Sequence, residues 1–213
     1  AEGSLRHDAA TGACTLAAPP SAPWTVEREL DFSYFEPCSD MWHVCDELHF
    51  ACRTLRGDGA VTARIESIAP AHYGTEASVM IRSSLEPTAP YAAIVVAPSG
   101  GIAFEHRTAQ LGAAHRIHGD PARVELPCWV RLTRTGNVFT AEHSSDGAGW
   151  NPIRDAAGKE PAPVEIPRGE TVHAGLGLAS HDRSRVAEAR AVIRGQALIV
   201  TRIVSGAGSC NNQ

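Results

Sequence analysis

The sequence predicts an all-β fold in which two antiparallel sheets stack face to face. Alternating polar and apolar residues recur in short segments along the whole chain, and no window keeps the 3.6-residue period of a helix. Turn residues such as Gly57-Asp58-Gly59 and Gly136-Asn137 separate these segments. Because so many strands cannot share one open sheet with a single covered face, a two-layer sandwich is expected. At 213 residues, with 43% hydrophobic and 20% charged residues, the chain suits one domain spanning residues 1–213.

The predicted strands begin with a hairpin at residues 3–16 around the turn Asp8-Ala-Ala-Thr-Gly12. The segment 17–37, rich in proline and aromatic residues, is expected to be an irregular covering excursion, and residues 196–213 a C-terminal extension. The proline-rich stretch 156–169 is expected to be a surface loop. Further strands are expected at 43–54, 59–68, 75–83, 91–97, 101–108, 113–118, 128–135, 137–144, 171–180 and 186–203.

Charge limits the partners that the sequence allows. The net charge is −5, Lys159 is the only lysine, and the other basic residues are scattered arginines. A nucleic-acid partner would need a clustered basic face, so none is expected. No apolar run approaches the length of about 18 residues that crosses a bilayer, so no membrane span is expected, and the start at Ala1 suits a processed chain.

Six cysteines and no CxxC pair predict an oxidising compartment, and therefore a secreted protein, extracellular or periplasmic. Up to three disulfides are expected, whose pairing the sequence does not reveal, and buried free thiols are the alternative. The cysteines are Cys14, Cys38, Cys45, Cys52, Cys128 and Cys210.

The alternation of residues along each predicted strand indicates which side chains form the core. Between residues 42 and 52 the even positions, Trp42, Val44, Asp46, Leu48, Phe50 and Cys52, are expected to face inward and the odd positions outward. In the segment 75–83, Ala77, Val79 and Ile81 are expected to face inward, opposite to Glu76, Ser78, Met80 and Arg82. The segment 101–108 has mixed faces, with Phe104 and His106 on one side and Glu105 and Arg107 on the other.

Six segments carry a series of motifs: CSDMWHVCDELHF at 38–50, LRGDGAVTARI at 55–65, VMIRSSL at 79–85, YAAIVV at 91–96, WVRLTRTGN at 129–137 and SSDGAGW at 144–150. In this order they resemble the concanavalin-A-like, laminin-G-like modules of bacterial secreted and surface proteins. The resemblance covers roughly residues 40–195 and implies a jelly-roll sandwich. It also implies carbohydrate binding, cell adhesion or packing against neighbouring domains, because fold alone does not decide function. The segment 17–37, the dense cysteines and the tail 196–213 depart from a plain module.

Two groups of residues are candidates for binding. The stretch Asp40…Trp42…Asp46…His49 resembles the family's Asp-x-Trp…Asp-x-Phe-His pattern, and an aromatic plate beside polar acceptors suits a sugar. The alternative is structural, with Trp42 in the core and Asp46 bonding loop amides. Arg82, His106 and Arg107 are expected on a polar sheet face that clamps hydroxyls or a carboxylate. The alternative there is cross-strand pairing with Glu76 or Glu105.

Metal sites are weaker expectations. His43, Cys45, Glu47 and His49 share one face of a regular strand and suit copper or zinc, but a flat strand spreads four ligands too far for one ion. The family resemblance also implies calcium held by loop aspartates such as Asp58 or Asp120, although the sequence contains no recognisable series of calcium ligands. The segment 144–150 resembles an Asp-box hairpin, which is turn chemistry.

No catalytic pattern stands out. The adjacent Asp46 and Glu47 point to opposite faces, which does not give the opposed carboxylate pair of a glycosidase. The sequence therefore predicts a secreted, non-catalytic module that binds carbohydrate or a surface, with the binding residues Trp42, Asp46, His49, Arg82 and His106. A structural or interaction subunit of an extracellular assembly, contacting its partners through 24–35 and 38–52, is the first alternative. A glycan-active hydrolase or lyase of the same superfamily is the second.

Overall fold

A computed structural model describes residues 4–18, 46, 48–69, 72–118, 124–155, 157–167, 169–181, 189–195 and 202–205. Within these ranges the regular elements are fifteen β-strands. They are β1 (Ser4–Asp8), β2 (Ala13–Ala18), β3 (His49–Arg56), β4 (Gly59–Ala69), β5 (Glu76–Arg82), β6 (Tyr91–Val96), β7 (Ile102–Arg107), β8 (His115–His118), β9 (Cys128–Thr135), β10 (Val138–Ser144), β11 (Asn151–Pro152), β12 (Val164–Glu165), β13 (Thr171–Ala179), β14 (Ala189–Gly195) and β15 (Arg202–Ser205).

The strands form two sheets. The eight-stranded sheet has the order β1-β2-β14-β4-β9-β10-β11, with β12 also paired to β10, and the seven-stranded sheet has the order β15-β3-β13-β5-β6-β7-β8. Every pairing in both sheets is antiparallel. The expected all-β, antiparallel jelly-roll sandwich is therefore confirmed. No described segment is a helix of the length and hydropathy that would cross a membrane.

Most predicted strands lie where the structure has them, including the N-terminal hairpin and β5 to β10. Two predictions differ. The segment 186–203 contains two strands that belong to different sheets, β14 and β15. The predicted loop 156–169 contains the short strand β12, whose Val164 pairs with Phe139 of β10. Most of the covering segment 17–37 and of the extension 196–213 lies outside the described residues.

The main core lies between the two sheets. The prediction that Ala77, Val79 and Ile81 face inward is confirmed, since all three are fully buried in the inter-sheet cluster. Leu176 of β13 pairs with Val79 in the same layer. Leu132 of β9 belongs to the opposite sheet and is buried in the same cluster. Burial of these aliphatic faces supplies the main hydrophobic stabilisation of the sandwich.

The face prediction for β3 is wrong. Ala51 pairs with Leu176 and lies in the inter-sheet core, whereas Phe50 pairs with Gly177 and points to the outer face. Both side chains are nevertheless buried, at 3% exposure for Phe50 and 0% for Ala51. Because both faces of this strand are covered, its sequence lacks the polar contrast that identifies the inner face.

A second apolar cluster covers the outer face of the seven-stranded sheet. Its buried members are Phe50, Cys52, Met80, Tyr91, Ala93, Val95 and Ala103, with Leu48, Leu85 and Ala114 packed against them. Leu85 comes from the loop 83–90 that joins β5 to β6. Much of this sheet face is therefore covered by packed side chains and is not open to solvent.

The prediction of up to three disulfides is wrong, because Cys14 and Cys128 are buried free thiols and at most two disulfides remain possible. Cys14 pairs with Ile193, Ile193 with Ile65, and Ile65 with Cys128. The two cysteines thus lie in one row across the sheet, three strand spacings or about 14 Å apart, whereas a disulfide needs Cα atoms within about 7 Å. Burial raises the pKa of both thiols, to about 11 for Cys128. Cys38, Cys45 and Cys210 lie outside the described residues.

Gly175 marks a close approach between β13 and β3. A Cβ on Gly175 would lie 2.1 Å from the carbonyl oxygen of Ala51 and 2.7 Å from the Cα of Cys52. We expect Gly175→Ala to lower the free energy of unfolding by about 3 kcal/mol, because backbone must move to admit the methyl group. Urea denaturation measures this change.

Gly169→Ala is the matched control, since a Cβ on Gly169 would have no atom within 4 Å. It should leave the free energy of unfolding within about 0.5 kcal/mol of the parent. Equal stability of the two alanine variants would contradict the close approach.

Candidate functional site

The outer face of the seven-stranded sheet carries two groups of charged residues that the fold brings together. Alternation along β7 puts Glu105 and Arg107 on this face and Phe104 and His106 on the inner side. The register places Glu105 beside Ala93 of β6 on one side and beside Arg116 of β8 on the other. The ionic groups therefore lie in cross-strand contact on one surface.

At the buried end of this surface, Asp46 pairs with two arginines. Its Oδ1 lies 2.8 Å from Nη2 of Arg107, and its Oδ2 lies 3.0 Å from Nη2 of Arg82. The side chains are 7%, 0% and 4% exposed for Asp46, Arg107 and Arg82 respectively. Burial raises the pKa of the Asp46 carboxyl, and the two guanidinium groups act against it by lowering that pKa. We call these three residues the buried triad.

The buried triad holds the loop 83–90. Arg82 donates from Nε to the carbonyl of Ser84 at 2.9 Å and from Nη2 to the carbonyl of Glu86 at 2.5 Å. Arg107 donates from Nη1 to the carbonyls of Pro87 and Ala89, at 3.1 and 3.2 Å. The arginines thus donate to carbonyls of a loop that is not part of a strand ladder, and the carbonyls of Glu86 and Pro87 also accept the amides of Ala89 and Asp46.

A second ionic group lies towards the edge of the sheet. Arg116 donates from Nε to Oε2 of Glu105 at 2.7 Å, and from Nη1 and Nη2 to the two oxygens of Glu76 at 2.6 and 2.9 Å. Tyr91 donates its hydroxyl to Oε1 of Glu105 at 2.5 Å. Nε2 of His181 lies 3.8 Å from Oε2 of Glu76. These five residues, Glu76, Tyr91, Glu105, Arg116 and His181, are called the rim cluster.

Arg116 bridges strands that are not neighbours. Glu76 is on β5 and Glu105 is on β7, so the guanidinium passes above the intervening strand β6. The outward residues of β6 beneath it, Ala93 and Val95, are small or aliphatic and buried. The side chain of Arg116 is 31% exposed, while those of Glu76 and Glu105 are 15% and 16% exposed. The rim cluster is therefore partly open to solvent, unlike the buried triad.

The electrostatics of the rim cluster fix its protonation. Burial opposes the charge on Arg116, but its bonds to Glu76 and Glu105 outweigh burial and raise the pKa of the guanidinium. Burial, together with the nearby charge of Glu105, raises the pKa of the Tyr91 phenol well above its usual value. Burial lowers the pKa of His181. Arg116 is thus a permanent cation and Tyr91 a protonated donor at neutral pH.

An exposed aromatic side chain lies beside the rim cluster, in the turn 72–75 that precedes β5. Tyr73 is 91% exposed, and its ring centroid lies 3.9 Å from that of His72. Thr75 ties the turn down by donating Oγ1 to the carbonyl of Ser180 at 2.9 Å. Gly74 lies between His72 and His181, because a Cβ there would be 3.3 Å from Nδ1 of His72 and 3.5 Å from Cβ of His181.

The structure separates the residues predicted to form one site. Asp46 and Arg82 are in direct contact in the buried triad, so Arg82 pairs with Asp46 and not with Glu76 or Glu105. The predicted binding residues His49 and His106 do not lie on the face that carries Asp46 and Arg82. His49 pairs with Leu178 on the inner side. The His106 ring stacks on that of His115 and is tilted against that of Phe104, with centroids 5.7 Å apart in each case. Trp42 lies outside the described residues.

Sequence reasoning missed Glu76, Arg116 and Tyr73 as site residues. Arg116 and Glu76 are 40 residues apart in sequence, so no local spacing announces their pairing. A partial signal exists in β7, where Glu105 and Arg107 alternate with Phe104 and His106. Reading that alternation as an ionic outer face would have placed Glu105 correctly.

Two loop predictions concern aspartates at turns. Asp146 accepts bonds at Oδ1 from the amides of Ala148 and Gly149, at 2.8 and 2.9 Å, and these bonds lower its pKa to about 2. The turn chemistry predicted for 144–150 is thus confirmed. Of the aspartates expected to hold calcium, Asp58 accepts the Gly136 amide at 2.6 Å, and Asp120 lies outside the described residues.

Of the strand residues proposed for a metal, His43, Cys45 and Glu47 lie outside the described residues. Within the ranges that the structure covers, no group of three or more histidine, cysteine or acidic side chains is arranged to hold a metal ion.

No protein-family model matches the sequence, and no curated protein matches it. Among solved structures, the chain is similar to a functionally unknown protein from Saccharomyces cerevisiae, with 16% identity, a TM-score of 0.57, and coverage of 96% of this chain and 93% of that one. It is also similar to a carbohydrate binding module from Bacillus subtilis, with 14% identity, a TM-score of 0.41, and coverage of 67% and 74%. A β-glucanase from Bacillus licheniformis has 13% identity, a TM-score of 0.42, and coverage of 68% and 69%. At such identities the likeness concerns the fold alone.

Removing the carboxylate of the buried triad should be costly. We expect Asp46→Ala to lower the free energy of unfolding by about 3–5 kcal/mol, because it leaves Arg82 and Arg107 buried without their counter-ion. Denaturant unfolding measures the change. Glu160→Ala is the control, since its pair with Arg154 is 3.9 Å long and its side chain is 62% exposed, and it should cost less than about 1 kcal/mol. Similar losses in both variants would contradict a stabilising role for the triad.

Acid should destabilise the protein before its carboxylates titrate. Burial lowers the pKa of His49, His106 and His181 in the folded state. Below about pH 6.5 the unfolded chain therefore binds protons that the folded chain does not, so the free energy of unfolding should fall. Urea unfolding between about pH 7.5 and about pH 5.5 measures the slope, and His106→Phe should make it shallower. A stability that stays constant over this range would refute the prediction.

Proposed function

We propose that this protein is a non-catalytic module that binds a glycan at the rim cluster and the adjoining turn 72–75. The observation that carries the proposal is the exposed ring of Tyr73 beside the partly open Glu76–Arg116–Glu105 bridge. An aromatic ring packs on the apolar face of a pyranose, while carboxylates and a guanidinium bond its hydroxyls. Both kinds of group lie at the same end of the seven-stranded sheet.

The anchoring of these groups supports binding. The Tyr73 ring contacts the His72 ring in a tilted arrangement, and the turn is tied to Ser180 through Thr75. Glu105 is fixed by two donors, Tyr91 and Arg116. A site whose side chains are already held in place loses less conformational entropy when a ligand arrives.

The protonation of the rim cluster supports a non-catalytic role. Glycoside hydrolysis needs one carboxyl as an acid and another as a base or nucleophile, with space for the scissile bond between them. Here Arg116 occupies the space between Glu76 and Glu105 and bonds to both. Tyr91, with its raised pKa, is a poor base at neutral pH. These features favour ligand binding over acid–base catalysis.

The described part of the surface favours a glycan over an extracellular assembly partner, while the segment 24–35 and most of 38–52, predicted to contact such a partner, lie outside it. An assembly interface needs a contiguous apolar patch. Among the described residues, the large hydrophobic side chains that are exposed are Tyr73 and Leu111. The apolar residues on the outer face of the seven-stranded sheet are instead buried in their own cluster.

Secretion and calcium stay as proposals. The buried free thiols Cys14 and Cys128 leave at most two disulfides among the other four cysteines, which weakens the disulfide argument for an oxidising compartment. Calcium is proposed only for loops such as that of Asp58, and a binding assay repeated with a chelator tests it.

A glycan array followed by titration calorimetry on the best ligand tests the proposal. Tyr73→Ala should weaken binding of that ligand at least tenfold, or by about 1.4 kcal/mol, through loss of the stacking ring. Leu111→Ala is the control, since it also removes an exposed hydrophobic side chain, 64% exposed, from outside this turn. It should leave affinity unchanged.

Three results would reject the proposal. The first is the absence of any glycan ligand on the array. The second is equal affinity of the Tyr73 and Leu111 variants. The third is release of reducing ends from the bound glycan, which would show an enzyme.

A further inference from the structure

The outer face of the eight-stranded sheet gathers arginines that are far apart in sequence. Alternation on each strand directs them away from the inter-sheet core, whose members occupy the intervening positions. They are Arg6 of β1, Arg190 and Arg194 of β14, Arg64 of β4 and Arg131 of β9. The carboxylates on the same strand faces are Asp8, Glu66, Glu142 and Glu165, one fewer than the arginines. This arginine face is thus positive, although the whole chain has a net charge of −5.

One carboxylate on this face serves two arginines. Oε1 of Glu66 lies 2.9 Å from Nη1 of Arg64 and 3.0 Å from Nε of Arg194. A single negative charge cannot neutralise both guanidinium groups, so one positive charge remains in excess. The side chains of Arg64 and Arg194 are 35% and 45% exposed, which makes that charge accessible to an anion.

Two tryptophans lie among these arginines. Trp129 is directly opposite Arg64 in the β4–β9 register. Arg131, two residues further along the same strand face, has its guanidinium 4.1 Å from the ring centroid of Trp150. Glu142 holds that guanidinium, with Oε2 at 2.8 Å from both Nε and Nη2. Each of the two indole rings therefore lies next to a guanidinium group, Trp129 beside Arg64 and Trp150 beside Arg131.

The indole of Trp129 is supported from one side. A Cβ on Gly147 would lie 2.9 Å from Cε2 of Trp129, so the turn that follows β10 packs against the ring. The bonds of Asp146 to the amides of Ala148 and Gly149 fix this turn. The hairpin at 144–150, predicted to be turn chemistry alone, thus also positions a surface aromatic residue.

We propose that the arginine face binds a polyanionic glycan. Sugar rings would stack on Trp129 and Trp150, and carboxylate or sulfate groups would pair with Arg64 and Arg194. A guanidinium presents a planar fork of donors that matches these anions, and an indole face suits a pyranose ring. The outward neighbours of the arginines include Thr62, Thr133 and Thr140, whose hydroxyls also bond sugars.

Charge and composition favour this occupant over a protein. A protein interface needs a desolvated apolar centre, whereas this face is mostly guanidinium, carboxylate and hydroxyl groups. The site is independent of the rim cluster, because the two lie on opposite outer faces of the sandwich.

Titration of the intact protein with polygalacturonate and with heparin tests the inference, with dextran as the neutral counterpart. Polygalacturonate carries carboxylates and heparin carries sulfates, so the two probes separate the sources of anionic charge. We expect at least one of them to bind and dextran not to bind. Arg194→Gln should weaken that binding about tenfold and lower its salt dependence by about one released counter-ion.

Arg154→Gln is the matched control. Its side chain is also 45% exposed and pairs with a glutamate, but it lies in the loop after β11 and not on the arginine face. It should leave affinity within about twofold of the parent, a difference well under 1 kcal/mol. Because the Tyr73→Ala change leaves this face intact, it should also leave polyanion binding unaltered, which separates a failure here from a failure at the rim cluster.

Trp150→Ala removes one stacking ring and leaves the Arg64–Glu66–Arg194 group in place, so it should weaken glycan binding. Circular dichroism checks that each variant is folded. Failure of both polyanions to bind at low salt would overturn the inference. Equal losses in the Arg194 and Arg154 variants would do the same, and so would equally tight binding of duplex DNA or of anionic phospholipid vesicles.

Discussion

Asp46 holds two arginine side chains where water hardly reaches, and this pairing decides what the outer face of the seven-stranded sheet presents. An unpaired guanidinium in that position would carry a large desolvation cost. With its carboxylate in place, each arginine is free to satisfy carbonyls of the loop 83–90. The loop is thereby held on the sheet, and Leu85 packs into the apolar cluster beneath it. The sheet face is closed over most of its area, and its polar groups reach solvent at the rim.

Tyr91 links the closed and open parts of this face. Its ring lies under the guanidinium of Arg107, at 5.0 Å to the centroid, and its hydroxyl donates to Glu105. Glu105 in turn receives Arg116, which also holds Glu76. Positive and negative groups therefore alternate from the buried triad to the rim cluster. Because each member is positioned by the one before it, the rim carboxylates are set by a rigid interior and not by a mobile loop.

The sequence predicted strand positions well because turn residues and alternation are local signals, as β9 and β10 show. It failed where the deciding factor is tertiary. Phe50 and Ala51 are both buried, so hydrophobicity could not say which of them faces the other sheet. The positions of Cys14 and Cys128 depend on β14 and β4 lying between their strands, which no local pattern encodes. The pairing of Arg116 with Glu76 likewise requires knowing that β5, β6, β7 and β8 are neighbours.

The two outer faces of the sandwich show how sharing of carboxylates sets the charge that a surface offers. In the rim cluster, Arg116 meets two carboxylates, so its positive charge is fully compensated and the excess is negative. On the arginine face the ratio is reversed, since Arg64 and Arg194 share Glu66. A net charge of −5 describes neither surface. The rim cluster suits hydroxyls that can donate to carboxylates, and the arginine face suits anions. One sandwich thus presents two opposite chemistries to its surroundings because strand order, and not composition, distributes the partners of each charge.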